Sequence, residues 1–319
     1  MRCHVLALAV VFLTALPAWG QTPYPTRAVR MVAPFAPGGG TDFIARLISL
    51  KLAERLGQPV VVDNRSGAGG NIGFEIVARA APDGYTLMTV SNSYATNAAL
   101  TPRLGFDPIK DVTAISLVGV APLILVVHPS VAARSIAELV ALAKAQPGKL
   151  KFGSSGTGAG PHLAGELFKA SAGIDLLHIP YKGSGPALID TLSGQIEMTF
   201  ISMLVVRSHI NAGRLRLLGV GTPQRVKAMP DTPAIAETLP GFETTSWYAI
   251  MGPARLPGAL LARLNADVNA VVKSPEITDR LANDAVEPRN ITPEATARHV
   301  AAEITRWRTV AQRAGVRLE

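Results

Sequence analysis

The chain has 319 residues, 48% of them hydrophobic, enough to bury a large core; its length fits two domains of ~150 residues better than one. Its formal charge of +8 comes from scattered lysines and arginines, with no basic run, which argues against nucleic acid as a partner. The single cysteine, Cys3, excludes an internal disulfide and a cysteine-based metal site.

Residues Met1 to Gly20 read as a secretory signal peptide. Arg2 gives a positive start, Val5 to Leu16 form an apolar stretch, and Ala18-Trp19-Gly20 puts small residues at the −3 and −1 positions. Cleavage is expected between Gly20 and Gln21. Cys3 precedes the apolar stretch, so a lipid anchor is not expected. No later run approaches the ~20 apolar residues of a membrane helix.

Val29, Met31 and Val32 predict a short buried strand. Gly38-Gly-Gly40 follows, then Thr41, Asp42 and a helical pattern from Ile44 to Leu56. Glycine lets the backbone turn sharply and approach a ligand, and a helix N-terminus offers free N–H groups and a positive dipole end. One such loop is explained as well by a plain strand-to-helix turn. A second loop of the same kind, Gly153-Ser-Ser-Gly-Thr-Gly-Ala-Gly-Pro-His162, shifts the reading toward an anion site.

Strand and helix patterns alternate after the first loop. Val60 to Val62 is a strand, and a glycine loop from Asn64 to Gly70 leads into a helix through Ile76 to Ala80. Tyr85 to Val90 is a strand ending at Ser91-Asn-Ser93, where open α/β sheets place ligands. Val112 to Val118 and Leu123 to Val127 read as two further strands. Ser135-Ile-Ala-Glu138 is a capping box. Phe152 closes a strand, Pro161 to Ala172 is a helix, and Leu176 to Ile179 is a strand. After the Pro180 to Pro186 loop comes a helix from Ala187 to Leu192. Ile196 to Ile201 and Leu215 to Val220 are strands around a helix ending near Gly213. Thr232-Pro233 reads as a helix cap, and Trp247 to Met251 as a strand. Three helices close the chain: Pro257 to Lys273, Glu276 to Ala285, and Pro293 to Ala314, stopped by Gly315. About eleven strands in this alternation predict an α/β fold of two doubly wound domains with mostly parallel sheets and a ligand in the cleft between them.

Motifs for catalysis are missing. Ser155 has Thr157 where a nucleophile elbow needs glycine, Gly38 to Asp42 lacks a P-loop lysine, and Pro161 breaks any dinucleotide fingerprint. His128, His162, His178, His209 and His299 have no metal-ligand spacing. His162 opens a helix beside a glycine loop, where a ligand contact and a structural role both fit. Asp42 reads as a base or, better, as a cap paired with Arg46 one turn on. Lys182 reads as an anion contact or a solvated surface lysine.

Seven segments together resemble one family: PFAPGGGTD (34–42), NRSGAGGNIG (64–73), PDGYTL (82–87), LGFDPIKD (104–111), FGSSGTGAGPHLAGELF (152–168), HIPYKGSGPALIDTLSGQIE (178–197) and RVKAMPDTPAIAE (225–237). They resemble the receptor component of tripartite tricarboxylate transporters, the Bug-type periplasmic solute-binding proteins. The resemblance implies a fold like type II periplasmic binding proteins, with two α/β domains joined by two crossover strands. It places domain 1 at 21–121 plus 247–319 and domain 2 at 122–246, with the run around Leu123 as a crossover. It implies a periplasmic monomer that needs no cofactor or metal. Such a receptor binds a small carboxylate and delivers it to the membrane permease subunits.

The resemblance also implies a site. One wall would be Phe35, Gly38, Gly39 and Asp42. The other would be Ser154, Ser155, Thr157, Gly158 and His162, with Ser93 and Lys182 as lesser contacts. Backbone N–H groups and hydroxyls would hold the ligand without a dominating arginine. Many relatives carry Asp-Asn where this chain has Ile201-Ser202. If Ser202 and its neighbour meet the far end of the ligand, that end of the pocket is less polar here. A secreted enzyme acting on a small acid and a sensor-side binding protein are the alternative readings. The missing nucleophile–base pair speaks against the enzyme.

Overall fold

The computed structural model describes residues 24–314. The leader, its cleavage point and the helix stop at Gly315 lie outside them. Alternation begins as the sequence pattern suggests: β1 (Val29–Ala33), α1 (Gly40–Leu56), β2 (Val60–Asn64), α2 (Asn71–Ala78), β3 (Thr86–Ser91) and α3 (Asn92–Leu100). Gly57, at φ +67°, ends α1 in the left-handed conformation that glycine adopts without strain. α3 has no counterpart in the sequence reading. Its Asn92-Ser-Tyr-Ala-Thr-Asn start is mostly polar, yet these residues are buried, so the hydrophobic period is hidden.

One 16-residue strand follows, β4 (Val112–Val127), where the sequence suggested two strands. The break at Gly119 and Pro122 suits a change of partners, not an end. Then come α4 (Ile136–Ala145), β5 (Lys151–Ser154), α5 (Gly160–Ala172), β6 (Leu177–Pro180), α6 (Ser184–Leu192), β7 (Met198–Ser202), α7 (Arg207–Asn211) and β8 (Arg216–Val220). Ser135 caps α4 as expected, its Oγ accepting the Glu138 N–H at 3.1 Å. Thr232-Pro233 does not cap a helix; a single 3-10 turn, Ile235–Glu237, lies beyond it. The chain returns through β9 (Thr245–Pro253), then α8 (Gly258–Lys273), α9 (Pro275–Asn283), the two-residue β10 (Glu287–Pro288) and α10 (Pro293–Ala314).

The strands run in the order β2-β1-β3-β9-β4-β7-β5-β6, with β8 and β10 also paired to β4. Residues 112–122 of β4 pair with β9, and residues 123–127 pair with β7 and β8. β4 thus belongs to two ladders, one either side of Pro122. The expectation of mostly parallel sheets holds only for β2-β1-β3 and β6-β5-β7. The centre is antiparallel, because the chain leaves the first ladder along β4 and re-enters it along β9 in the opposite sense.

Each ladder has helices on both faces, and the two-residue period of the strands shows why. In β9, Tyr248 and Ile250 face α1, α8 and α9, whereas Trp247, Ala249 and Met251 face α2, α3 and α10. In β4, Leu123, Leu125 and Val127 join one core of the second ladder, and Ile124 and Val126 join the other. Ile44, Ile48 and Leu52 of α1 are completely buried in the first of these cores. Truncating one to alanine should cost about 2–5 kcal/mol through lost burial and the cavity left behind.

Candidate functional site

A small cavity of about 30 Å³ lies where the two ladders face each other. Four helix N-termini converge on it. Gly40 and Thr41 open α1, Asn92 and Ser93 open α3, Pro161 lies in the first turn of α5, and Ser184 opens α6. Each terminus carries about half a positive charge, and its first N–H groups lack partners within the helix. The other polar groups lining it are mostly hydroxyls: Ser91, Ser155, Ser202, Ser246 and Tyr248. Among the described residues no acidic or basic side chain lines the cavity. Burial raises the pKa of the Tyr248 hydroxyl, although hydrogen bonds from Ser202 and Ser246 oppose the rise. That hydroxyl therefore stays neutral and adds no charge that would repel an anion. A Cβ at Gly40 would strike it, so glycine there keeps the α1 N-terminus open.

The first glycine loop is held by Asp42. Gly38 has φ +86°, and its N–H donates to Asp42 Oδ2 at 3.1 Å. Asn64 Nδ2 donates to Asp42 Oδ1 at 2.9 Å, and Arg46 Nε donates to Oδ2 at 3.1 Å. Burial alone would raise the Asp42 pKa. The bonds from Arg46, Asn64 and Gly38 outweigh it and hold the carboxyl below its usual range. Asp42 is thus an ionised brace turned away from the cavity.

The second glycine loop differs from expectation. The Gly156 N–H donates to Ser154 Oγ at 3.1 Å, Ala159 N–H to the Gly156 carbonyl at 3.1 Å, and Gly158 N–H to His162 Nδ1 at 3.1 Å. Gly160 N–H donates to Ser93 Oγ at 3.1 Å. Pro161 has no N–H to give. These donors are committed to the protein. This loop and α5 therefore act on the cavity through Ser155 and the helix dipole more than through the glycine N–H groups.

His162 lies under this loop, not on the cavity. It stacks on His178 at 4.1 Å between ring centres, and Phe152 stacks on His178 at 4.8 Å. Since Nδ1 accepts from Gly158, the proton of the neutral ring sits on Nε2, 3.9 Å from Glu166 Oε1. His178 Nε2 lies 2.7 Å from Ser154 Oγ. Burial, with Lys169 nearby, pushes His162 down to about 4. Burial and the neighbouring His162 and Lys169 push His178 down to about 3.

Of the residues singled out from sequence, Phe35, Gly39, Ser93, Ser155 and Ser202 line the cavity. Gly38, Asp42, Ser154, Gly158 and His162 stand behind it as the supports described above. Thr157 is exposed at the loop tip. The Lys182 side chain is also exposed; its carbonyl accepts the Ala36 N–H at 2.9 Å. Sequence reading missed Gly40, Thr41, Ser184, Ser246 and Tyr248. The first three adjoin glycines in motifs already noted, whereas Ser246 and Tyr248 alternate along β9 with no local signal. Among the described residues no group of three His, Cys, Asp or Glu side chains could hold a metal ion, and no helix is long and apolar enough to cross a membrane.

Residues 44–316 match the model of the tripartite tricarboxylate transporter family receptor. Protein BugT of Bordetella pertussis is 37% identical over 323 residues, covering 99% of each chain. The R. palustris protein Rpa4515, solved with adipate, is similar with a TM-score of 0.89 and 38% identity, covering 92% of this chain and 99% of that one. MatC (Rpa3494) of Rhodopseudomonas palustris, solved with bound malate, has a TM-score of 0.86 and 30% identity, covering 90% and 99%.

Proposed function

Since the chain belongs to the tripartite tricarboxylate transporter receptor family, a family of periplasmic solute-binding proteins, we propose that it captures a small carboxylate between two lobes and delivers it to a membrane permease. The lobes are residues 21–121 plus 247–319 and residues 122–246, with β4 and the return at Thr244–Thr245 as hinge strands. One observation carries this reading: four helix N-termini and a set of hydroxyls surround a cavity with no charged side chain. Such a site stabilises an anion by oriented dipoles and N–H donors, each bond to a charged partner contributing about 1.5–3 kcal/mol. The adipate and malate held by two relatives are of this chemical class. The lining hydroxyls have no histidine, carboxylate or lysine beside them in the cavity to activate them, which favours binding over hydrolysis.

The carboxylate end belongs at α1 and α3, whose first-turn N–H groups have no partner within the helix. The far end meets Leu123 and Ile201. Their apolar surface lowers the need for a second charge on the ligand. Calorimetry with adipate, malate, hexanoate and the neutral adipamide tests the reading. Adipamide should bind far more weakly than adipate, and hexanoate should fall within about tenfold of it, a difference of roughly 1.4 kcal/mol. Equal binding of adipamide and adipate would contradict the anion site. Export with cleavage before Gln21 is tested by intact mass of the periplasmic protein.

A further inference from the structure

The strand that lines the cavity continues directly into a contact between the two lobes. Ile201 and Ser202 end β7 at the cavity. The Ser202 Oγ caps the next turn, Met203–Val205, by accepting the Leu204 N–H at 3.4 Å. Leu204 is buried in the core formed by α1, α8 and α9 of the other lobe, and Val205 packs at its edge. Two residues on, Arg207 Nε donates to Asp284 Oδ1 at 2.9 Å. Asp284 lies just after α9, its side chain only 4% exposed, and Arg280 Nε is 3.4 Å from its other oxygen. A groove of about 460 Å³, lined by Arg207, Ser208, Arg280 and Asn283, runs beside the pair.

A carboxylate this buried is tolerated only while its charge is paired. Buried ion pairs add little net stability, because desolvation offsets their attraction. Removing one partner, however, leaves an uncompensated buried charge. The cost falls only on the arrangement that buries the pair. With the lobes parted, both groups are hydrated and the loss of a partner matters little.

We propose that Arg207 and Asp284 form a latch between the lobes that sets the balance of open and closed forms, and thereby ligand affinity, without touching the ligand. The latch rests on the two-lobe reading above. Ligand at Ser202 steadies the turn that carries Leu204 and Arg207, so occupancy and latching reinforce each other. Arg207 and Asp284 are positioning residues: apparent affinity scales with the fraction of molecules in the binding-competent form.

The test places spin labels at Leu50→Cys and Ile189→Cys in a Cys3→Ser background. These are exposed positions, one in each lobe. Distance distributions are recorded with and without adipate and malate, and calorimetry with the same two acids follows. In the double variant Arg207→Gln with Asp284→Asn, where no buried carboxylate is left unpaired, the ligand-free distribution should stay near the parent's, whereas in Arg207→Gln alone it should shift to longer distances. Apparent affinity should fall by roughly tenfold as the closed fraction drops. Arg207→Lys, which keeps the charge, should recover most of the short-distance population. An Arg207→Gln variant that folds and whose distributions superimpose on the parent's, with and without acid, or a double variant that opens as far as Arg207→Gln does, overturns the latch. A parent distribution that is single and unmoved by either acid removes the two-lobe reading itself.

Discussion

The backbone N–H of Gly160 donates to the hydroxyl of Ser93 at 3.1 Å, tying the N-terminus of α5 to that of α3 across the cavity. Two helices, one packed on each ladder and both aimed at the cavity, are thus joined to each other. Ser93 itself lines the cavity. Its hydroxyl can accept from Gly160 while its own proton points to a bound anion.

Ser93→Ala should therefore weaken carboxylate binding about three- to tenfold, the value of one ordinary hydrogen bond. Its melting temperature should fall by a few degrees, because the Gly160 N–H is left buried without its partner. Calorimetry with adipate checks the first statement and a thermal melt the second.

A second variant probes the close approach of α6 to the first glycine loop. A Cβ on Gly185 would fall on the Pro37 carbonyl oxygen of the opposite loop, whereas a Cβ on Gly39 would meet Ser184 at an ordinary 3.5 Å. Gly185 lies in the first turn of α6, where alanine favours the helix by up to about 1 kcal/mol. Gly185→Ala should thus keep or raise the melting temperature yet lose at least about tenfold in affinity, roughly 1.4 kcal/mol. Gly39→Ala should bind nearly as the parent does. Equal affinities for the two variants would show that this glycine seam does not control closure.

Lys182→Ala should leave affinity within about twofold, since a solvated side chain away from the cavity contributes little. Affinity of the parent should also fall only modestly as salt rises, because enclosed donors are screened less than exposed charges. A titration series across ionic strengths measures both.

The stacked histidines make stability depend on pH. Their folded pKa values, about 4 for His162 and about 3 for His178, lie below the ordinary 6.5. The unfolded chain then binds more protons between these limits, so stability rises with pH across the window. Their contribution is complete above about pH 6.5 and is lost progressively as pH falls toward 4 and then 3. Melting temperature should drop more steeply from pH 7 to 4.5 in the parent than in His178→Gln. Parallel slopes would assign the acid sensitivity elsewhere.

Much of this fold is legible in the sequence because its signals are local. The glycine after Leu56, the Ser135 cap and the apolar runs of β1 and β9 each report on their neighbours. The merging of two runs into β4 is not legible: Gly119 and Pro122 resemble a strand break, and only the partners on either side show a continuous strand. The site divides in the same way. Gly39, Ser93 and Ser155 sit in recognisable loops, but Tyr248 reaches the cavity only because β9 returns beside β4. His162 and Gly158 sit in the right motif and face away from the cavity, because the loop satisfies its own N–H groups. Which donors of a glycine loop remain open is a tertiary fact that spacing does not encode.

The most direct test is mass spectrometry of the solute released from the purified protein after titration with mixed small acids, amides and sugars. A site of helix N-termini and hydroxyls with no charged side chain should retain a small carboxylate and return it with its mass unchanged after long incubation. Recovery of a neutral amide, a sugar or a cation in its place, or of a chemically altered acid, would contradict the account.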